Sequence, residues 1–286
     1  MKYRHAFHAG NFADVHKHVA LLALVEALKK KDKGFLYLDT HAGRGGYDLS
    51  SPTAEAAAGI VRFTQAQHQA PELCAYAALL GQLRARAARR HLYPGSPLIA
   101  VSELRPQDRA VLIELLGAEA HALEQALVAL AEVRGDGPRV RIERGDGFAG
   151  LRAWLPPQER RGLTFLDPPY EETEQDFTHV TAALTEGLRR FPTGVFAAWY
   201  PIKEERVTSA WLLACRHALR AALLVSELWL YPRDSRVGLN GSGLLIANPP
   251  WLTLERMLVW LPELQACLAV GEGGGSSARM LPQSAA

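Results

Sequence analysis

Short apolar runs alternate with amphipathic stretches along most of the chain. A helix over residues 13–30 is predicted from an apolar stripe at spacings of three and four, formed by Val15, Val19, Leu22, Val25 and Leu28. Asn11 and Asp14 are candidates for its N-cap or first turn. Buried strands are predicted at residues 35–38, 98–103, 140–143, 163–166, 194–199, 223–231 and 244–247, and further helices at 106–133, 177–190 and 204–221. This alternation predicts an α/β fold with a parallel sheet.

Residues 53–92 differ from the rest, because they are rich in alanine and arginine and contain no strand-like run. We expect them to form a helical subdomain inserted into a sheet domain of residues 1–52 and 93–270, with residues 271–286 as a disordered tail. Four arginines cluster near the end of the inserted stretch, at Arg84, Arg86, Arg89 and Arg90. They form either a solvated helix face, the plainer interpretation, or a patch that neutralises RNA phosphates.

The composition excludes several classes of protein. With 286 residues, 48% of them hydrophobic and 22% charged, the chain has enough apolar material for a globular core. No apolar run approaches the roughly 20 residues of a membrane-spanning helix, and no signal peptide is visible. The three cysteines, Cys74, Cys215 and Cys267, form no CxxC pair, which favours a reducing cytoplasm. A net charge of +2 says little about partners.

Acidic residues fall at the ends of successive predicted strands, at Asp39, Glu103, Asp146 and Asp167. Each alone is more simply a helix cap, but four in order favour a ligand site at the carboxyl edge of the sheet. Glycines at residues 43–46 follow the first of these strands and let a backbone approach a ligand closely. The turn lacks the last glycine of the dinucleotide-binding motif, and no acid follows a second strand about 20 residues later, which disfavours a nicotinamide cofactor.

The sharpest motif is Asp167, Pro168, Pro169 and Tyr170, directly after a buried strand. The two prolines stiffen the backbone and remove two N–H donors. The carboxylate and the Pro168 carbonyl can then accept hydrogen bonds from an exocyclic amine while the tyrosine ring stacks on the base. The alternative is a rigid stop with a core tyrosine. A similar Asn-Pro-Pro-Trp turn at residues 248–251 follows the last predicted strand, and we interpret it as a structural stop.

The histidine-rich N-terminal segment does not predict a metal site. His16 and His18 point to different sides of a helix, so they cannot easily share a metal ion, and the chain contains no HExxH motif. His18 lies next to the apolar stripe, where a core histidine with satisfied hydrogen bonds is the simpler expectation.

With these motifs in place, the chain resembles the bacterial large-subunit ribosomal RNA adenine-N6 methyltransferase J family, of the class I S-adenosylmethionine-dependent methyltransferases. The matching stretches are residues 3–11, 13–15, 17–18, 35–43, 93–100, 146–148, 161–163, 167–170 and 248–251. Residues 3–11 and 93–97 carry the specific part of the resemblance. It implies a Rossmann-like class I methyltransferase sheet, mostly parallel with the last strand antiparallel, and a small inserted helical subdomain.

The resemblance also implies roles for individual residues. The S-adenosylmethionine pocket is expected to be lined by His18, His41, Ser96, Glu103, Asp146, Gly147 and Asp167. Asp167 matches the catalytic acid, supported by Pro168 and Tyr170, and Tyr3, His5 and Lys17 match positions that engage the substrate. One departure stands out: the family has a helix between the Gly-Ser-Pro stretch and the strand that ends in an acid. Here only six residues separate Ser96 from Glu103, so either the helix is missing or the strand is rebuilt.

The function implied is methylation of adenine N6 in 23S ribosomal RNA by S-adenosylmethionine without a metal. We expect a cytoplasmic monomer that acts on free or early-assembly RNA, with no membrane partner. One alternative is methylation of another amine, such as guanine N2, cytosine N4 or a protein glutamine. The aspartate at position 167 favours a nucleobase, since glutamine-modifying enzymes usually carry Asn-Pro-Pro-Tyr. The other alternative is an inactive RNA-binding assembly factor.

Overall fold

The strands and helices are those of a computed structural model, which describes residues 7–131, 137–233, 235 and 237–282. The strands are β1 (Leu36–Asp39), β2 (Gly46–Asp48), β3 (Leu92–Pro94), β4 (Arg109–Glu114), β5 (Arg139–Arg144), β6 (Gly162–Leu166), β7 (Val195–Ile202), β8 (Leu223–Trp229), β9 (Gly241–Ala247) and β10 (Gly275–Leu281). The helices are α1 (Phe12–Lys29), α2 (Ala54–Ala56), α3 (Arg62–Gln65), α4 (Pro71–Arg86), α5 (Ser96–Glu103), α6 (Gly117–Ala131), α7 (Gly147–Trp154), α8 (Thr173–Arg190), α9 (Glu205–Ala218) and α10 (Thr253–Leu268). A π-helical turn, Ala57–Val61, joins α2 to α3.

Eight of the strands form one sheet in the order β10-β8-β9-β7-β6-β1-β4-β5, and β2 pairs with β3 as a separate ribbon. The pairs β5–β4, β4–β1, β1–β6 and β6–β7 are parallel, whereas β9 runs antiparallel to both β7 and β8. The mostly parallel sheet with a late antiparallel strand is therefore confirmed. From β1 the chain builds outward to β4 and β5, then returns to β6 on the other side. Such a reversal opens a crevice at the carboxyl ends of β1 and β6.

Successive strand residues point to opposite faces of the sheet, so a strand that is apolar throughout makes both faces apolar. Helices cover both faces. In β1 the side chain of Tyr37 joins the core on the face covered by α1, α4, α5 and α10. Leu36 and Leu38 join the opposite core, beneath α8 and α9. With both faces covered, β1 is apolar at every position except its final residue, Asp39. Asp39 therefore lies where β1 ends, between the hydrophobic core and the candidate site.

Helix α1 lies where it was predicted, and it is buried on nearly all sides. Asn11 is its N-cap, because its side-chain oxygen accepts the Asp14 backbone N–H at 2.9 Å. The predicted apolar stripe is buried, but so are the polar side chains of Asp14, His16, Lys17 and His18. Buried polar groups of this kind need partners to offset the loss of water. Partners for these groups lie within α1 and the turn before it, on strands β3, β8 and β9, and in the turn after β6.

Two predicted elements in the middle of the chain were wrong. The apolar run at residues 98–103 is part of helix α5, not a strand, and the predicted helix over 106–133 begins only at Gly117. Strand β4 lies between them and ends at Glu114. A short, fully buried apolar run fits a helix or a strand equally well by pattern. The proline at the start of α5 favours the helix. The helix that seemed to be missing after Ser96 is therefore present.

The two C-terminal predictions had different outcomes. The tail was expected to be disordered, but Gly275–Leu281 forms β10, antiparallel to β8. The turn at residues 248–251 is structural as predicted, since the Asn248 amide donates to the carbonyls of Pro192 and Gly194 at 2.8 Å each. Within the described residues, none of the helices combines the length and the apolar character that crossing a membrane requires.

The stretch 53–92 contains α2, the π-helical turn, α3 and α4, with non-helical residues at 66–70 and 87–91 before β3 begins at Leu92. Its π-helical turn packs directly on the start of α1. The Ile60 backbone N–H donates to the Gly10 carbonyl at 2.8 Å, and a Cβ on Gly59 would overlap that same carbonyl. This close approach fixes the chain entering α1 against the helical stretch.

Candidate active site

Four acids lie at the carboxyl edge of adjacent parallel strands. They end or follow the strands in the order β5, β4, β1 and β6, and are Asp146, Glu114, Asp39 and Asp167. Three of these were predicted from the sequence. The fourth, Glu114, replaces the predicted Glu103, because β4 rather than α5 is the strand of this series.

Glu103 lies away from this edge. Its carboxylate pairs with Lys29 Nζ at 2.9 Å, near the C-terminal end of α1. Lys29 is twelve residues beyond Lys17, which is about 18 Å along the helix. Glu103 is therefore not one of the acids at this edge of the sheet, and its side chain belongs to a partly exposed ion pair instead.

Glu114 anchors the glycine turn that follows β1. Its two carboxylate oxygens accept the backbone N–H groups of Gly43 at 2.8 Å and Leu116 at 2.7 Å. Gly43 has a φ of +63°, a conformation that glycine adopts without strain. A carboxylate has about four lone-pair positions. Glu114 can therefore hold the turn and still accept hydrogen bonds from a ligand.

Asp39 is fully buried beneath the site. One of its oxygens accepts the hydroxyls of Tyr37 and Ser96, both at 2.7 Å, and the other accepts the His41 backbone N–H at 3.2 Å. Burial raises the pKa of Asp39 to about 6, against the hydrogen bonds from Ser96 and Tyr37, which lower it, while the charge of Asp167 raises it further. Ser96, predicted in the cofactor pocket, is thus fixed to the end of β1.

Asp146 and Gly147 begin helix α7 next to the glycine turn. The Asp146 side chain caps the helix by accepting the Phe148 backbone N–H at 2.8 Å. At Gly147 the Thr40 carbonyl lies so close that an added Cβ would overlap it. The Phe148 ring packs edge-on against the His41 ring, with centroids 4.9 Å apart. Residues 41, 146 and 147 are therefore brought together, as predicted.

His41 is held as a neutral imidazole. The Thr40 hydroxyl donates to the Phe165 carbonyl at 3.1 Å, so Nδ1 of His41, 2.8 Å from the same hydroxyl oxygen, is the donor in that contact. Burial lowers the pKa of His41 to about 4, although the charges of Asp167 and Asp146 oppose this. At neutral pH the Nε2 atom is then an acceptor, between two of the site carboxylates.

Lys17 is the cation at the centre of the site. Its ammonium lies 2.6 Å from Oδ2 of Asp167 and 2.7 Å from Oδ1 of Asp14, and only 3% of the residue is exposed. Burial opposes its charge, but attraction and hydrogen bonds from the two carboxylates outweigh burial and raise the pKa of Lys17. The ammonium thus remains charged while it holds Asp167 in place. Among the described residues, Oδ1 of Asp167 has no hydrogen-bond donor.

Tyr170 does not present its ring to the crevice. It is 3% exposed, lies in the core edge-on to Phe177 and Trp199, and donates its hydroxyl to the Trp199 carbonyl at 2.6 Å. A base cannot stack on it unless the ring leaves this position. The structure instead places Tyr170 as the support that fixes the turn of Pro168, at a backbone φ of +49°.

Trp199 is a site residue that sequence reasoning missed. It lies on β7, next to the strand that carries Asp167, and is half-buried. Lys17 Nζ lies 5.3 Å from the centroid of its ring, and its indole N–H donates to Ser242 at 2.9 Å. Its position near the carboxyl end of a predicted strand was the signal that could have indicated it.

The remaining predicted site residues have different outcomes. His18 is buried, and its Nδ1 lies 2.8 Å from the Tyr93 hydroxyl, which links α1 to β3. His16 also has two partners, Ser226 and Ser242, at 2.9 and 2.8 Å. In the described part of the chain no three His, Cys, Asp or Glu side chains come together as a metal-binding group. Tyr3 and His5 lie outside the described residues.

The arginine cluster is smaller than the sequence indicated. Arg84 points back to the chain and donates to the Leu92 carbonyl at 3.0 Å. Arg86, Arg89 and Arg90 are exposed, with Arg89 3.8 Å from Asp48. These three side chains lie just before β3, whose residues lead directly to Ser96.

The strand order, the acids at four strand ends and the Asp-Pro-Pro-Tyr turn after β6 together define a class I methyltransferase. The chain belongs to the family described as ribosomal RNA large subunit methyltransferase D, RlmJ, whose model matches residues 32–280.

Similar proteins cover almost the whole chain. A relative from Escherichia coli K12, named ribosomal RNA large subunit methyltransferase J, is 40% identical over 292 residues, covering 99% of this chain and 100% of the relative. One of the same name from Haemophilus influenzae is 39% identical, with 96% of each chain covered. A crystal structure of a Legionella pneumophila protein has a TM-score of 0.84 at 34% identity, covering 97% of this chain and 99% of that one.

Proposed function

We propose that this chain transfers a methyl group from S-adenosylmethionine to N6 of an adenine in 23S ribosomal RNA. The names of the relatives support ribosomal RNA of the large subunit as the substrate. The observation that carries the reaction is the carboxylate of Asp167. One of its oxygens is held by buried Lys17, and the other is open beside the acids of the cofactor edge.

The residues at this edge fit S-adenosylmethionine. Carboxylates such as Glu114 and Asp146 accept hydrogen bonds from ribose hydroxyls and from an adenine amino group. Leu115 and Leu116, directly after Glu114, are 67% and 51% exposed and offer an apolar surface for the adenine ring. Because Gly147 has no Cβ, its backbone can lie directly against the Thr40 carbonyl. The turn after β1 and the start of α7 therefore lie side by side and together form a cradle for the ligand. When bound, S-adenosylmethionine supplies an electrophilic methyl group.

The chain's own residues then prepare the amine. The N6 lone pair of adenine is delocalised into the ring, so the amine is a poor nucleophile. Oδ1 of Asp167 and the Pro168 carbonyl accept its two N–H groups, which localises the lone pair and orients it. As N6 bonds to the methyl carbon and the carbon–sulfur bond of the donor breaks, positive charge develops on N6 and the nearby carboxylate stabilises it, so that positioning and electrostatics supply most of the rate. The amine then loses one proton to Asp167 or to water, and S-adenosylhomocysteine is released.

Glu114 and Glu103 provide a direct test of the corrected cofactor site. Glu114→Gln should weaken S-adenosylmethionine binding by about tenfold, since it replaces a charged acceptor of two backbone bonds and of the ligand. Glu103→Gln should change the affinity by less than about twofold, because that side chain is in a surface pair. Isothermal titration of both variants measures the difference. An equal loss in both would contradict the assignment.

Gly147 tests the close approach of the two turns. Gly147→Ala should weaken S-adenosylmethionine binding by at least about tenfold and lower stability by about 1–3 kcal/mol, because the new Cβ must displace the Thr40 carbonyl. Gly145→Ala is the matched control, since nothing lies within 4 Å of a Cβ there. Titration and thermal melting of both variants give the comparison, and a normal affinity for Gly147→Ala would exclude this cradle.

The stretch 53–92 forms, in this proposal, the subdomain that contacts RNA. Its exposed arginines, Arg86, Arg89 and Arg90, would neutralise phosphates while β3 ties them to Ser96 and so to the site. Free or early-assembly RNA as the substrate, the monomeric state and a cytoplasmic location are further parts of the proposal.

The proposed reaction is tested by incubating unmodified 23S ribosomal RNA with the protein and S-adenosylmethionine, followed by mass spectrometry of the nucleosides. The result expected is one new 6-methyladenosine per RNA. Methylated guanine or cytosine would assign the same site to another base, and a parallel incubation with ribosomal protein that yields methylglutamine would assign it to a protein amide. Absence of any product, together with no binding of S-adenosylmethionine in a titration, would favour the inactive assembly factor.

A further inference from the structure

Asp14 contacts Lys17 at the site, but nothing above gives it a role in binding the cofactor or the substrate. It is 2% exposed, on the first turn of α1. Its Oδ1 lies 2.7 Å from Lys17 Nζ, and its Oδ2 accepts the Gly10 backbone N–H at 2.8 Å. Both oxygens are therefore engaged, one by the ammonium and one by the turn that enters the helix.

The Lys17 ammonium lies between two buried carboxylates, those of Asp14 and Asp167. Its contacts with them are both short, 2.7 Å to Oδ1 of Asp14 and 2.6 Å to Oδ2 of Asp167, so each acid influences where the ammonium lies. Asp14 therefore draws the ammonium away from the open oxygen of Asp167.

We propose that Asp14 is a positioning residue, which holds the Lys17 ammonium on Oδ2 of Asp167 and thereby keeps Oδ1 open for the amine of the substrate. Without the pull of Asp14, the ammonium is free to bridge both oxygens of Asp167, since a lysine has three donors and a flexible stem. The open acceptor is then lost even though every catalytic group is present. This inference rests on the proposed function.

The chain supplies a matched pair for comparison on the same helix. Glu26 and Lys29 have the same three-residue spacing as Asp14 and Lys17, with their charged atoms 2.5 Å apart. That second pair is partly exposed and lies at the far end of α1. Loss of its acid removes an ordinary helical ion pair and nothing at the site.

The experiment compares Asp14→Asn with Glu26→Gln in the full chain. Asp14→Asn leaves the Lys17–Asp167 ion pair in place, and its amide oxygen can still accept the Gly10 N–H, so the variant is expected to fold. We expect kcat to fall by at least about tenfold in Asp14→Asn, since a displaced acceptor misaligns the amine. The S-adenosylmethionine affinity, measured by titration, should stay within about twofold, and Glu26→Gln should match the wild type within about twofold in both.

The pH profile separates positioning from a merely structural role. Among the described residues, the charged and titratable groups that act on the ammonium are Asp14 on its own helix, Asp167, Tyr47 and Tyr76, and the Trp199 ring lies beside it. Asp14 is one of two charges that raise the pKa of Lys17, so its removal lowers that pKa. The kcat of Asp14→Asn should therefore decline at a lower pH on the alkaline side than that of the wild type.

Two further variants complete the test. Asp14→Glu keeps the charge and should recover part of the lost kcat, which also addresses the proposal if Asp14→Asn does not fold. The double variant Asp14→Asn/Lys17→Met should have the activity of Lys17→Met alone, because Asp14 acts through Lys17. A kcat for Asp14→Asn within about twofold of wild type, or additive losses in the double variant, would overturn the inference. Failure of the proposed function is distinguishable, since the wild-type chain itself would then make no 6-methyladenosine.

Discussion

Asp167→Ala is expected to abolish methyl transfer, with a loss of about 10³-fold or more in kcat, in a chain that stays folded. The substitution removes the acceptor that orients the N6 amine and the negative charge that stabilises the transition state. Folding should survive, because Lys17 keeps Asp14 as a partner at 2.7 Å. Single-turnover transfer of a labelled methyl group to 23S ribosomal RNA measures the loss, and circular dichroism checks the fold.

Asp167→Asn is the informative companion to this variant. Its amide oxygen can still accept a hydrogen bond, but the charge that pairs with Lys17 is gone. We expect an activity between that of the wild type and that of Asp167→Ala. Wild-type activity in the alanine variant would refute the assignment of the catalytic acid. Equal loss in both variants would instead show that the charge, rather than the acceptor geometry, carries the effect.

Lys17→Met is expected to have the second largest effect, on both activity and stability. It removes the ammonium that lies against both Asp14 and Asp167, and breaking a buried ion pair in this way costs about 3–5 kcal/mol. The kcat should fall by about 10²-fold, because the carboxylate of Asp167 is no longer held. Denaturant unfolding and single-turnover kinetics measure the two losses.

The pH dependence of the stability loss gives a sign that can be checked. Because the folded-state pKa of Lys17 is raised above its ordinary value of 10.5, its contribution is fully present below that value and is lost as pH rises through the folded pKa. The stability difference from the wild type should therefore be the same at pH 7 and pH 9. Lys29→Met, on the same helix but partly exposed, should cost only about 0–1 kcal/mol. A similar cost for both variants would contradict a buried charge centre.

Much of the fold follows from local pattern. Helix α1, the buried strands β1 and β6 and the acids after them were predictable, since their apolar runs are bounded by clear turn residues. The failure came at residues 96–114, where a buried helix and a buried strand are both short and apolar. Because of that one misassigned element, the sequence placed Glu103 rather than Glu114 in the series of strand-end acids.

The charge centre of the site could not be predicted in the same way. Lys17 and Asp167 are 150 positions apart, and nothing in the chain between them says which acid receives the ammonium. The sequence indicates that Asp14 is a first-turn residue of α1, and this is correct. Nothing in the sequence indicates its second contact, with the Lys17 ammonium. Tyr170 illustrates the opposite case. Its motif favours stacking, but packing against Phe177 and Trp199 buries the ring.

The most direct measurement is a crystal structure of the chain with S-adenosylmethionine bound. We expect ribose hydroxyls on Glu114, the adenine near Leu115 and Asp146, and the methyl group facing the open oxygen of Asp167 across a gap wide enough for one amine nitrogen. A nucleoside held instead at Glu103, or a methyl group turned away from Asp167, would contradict it.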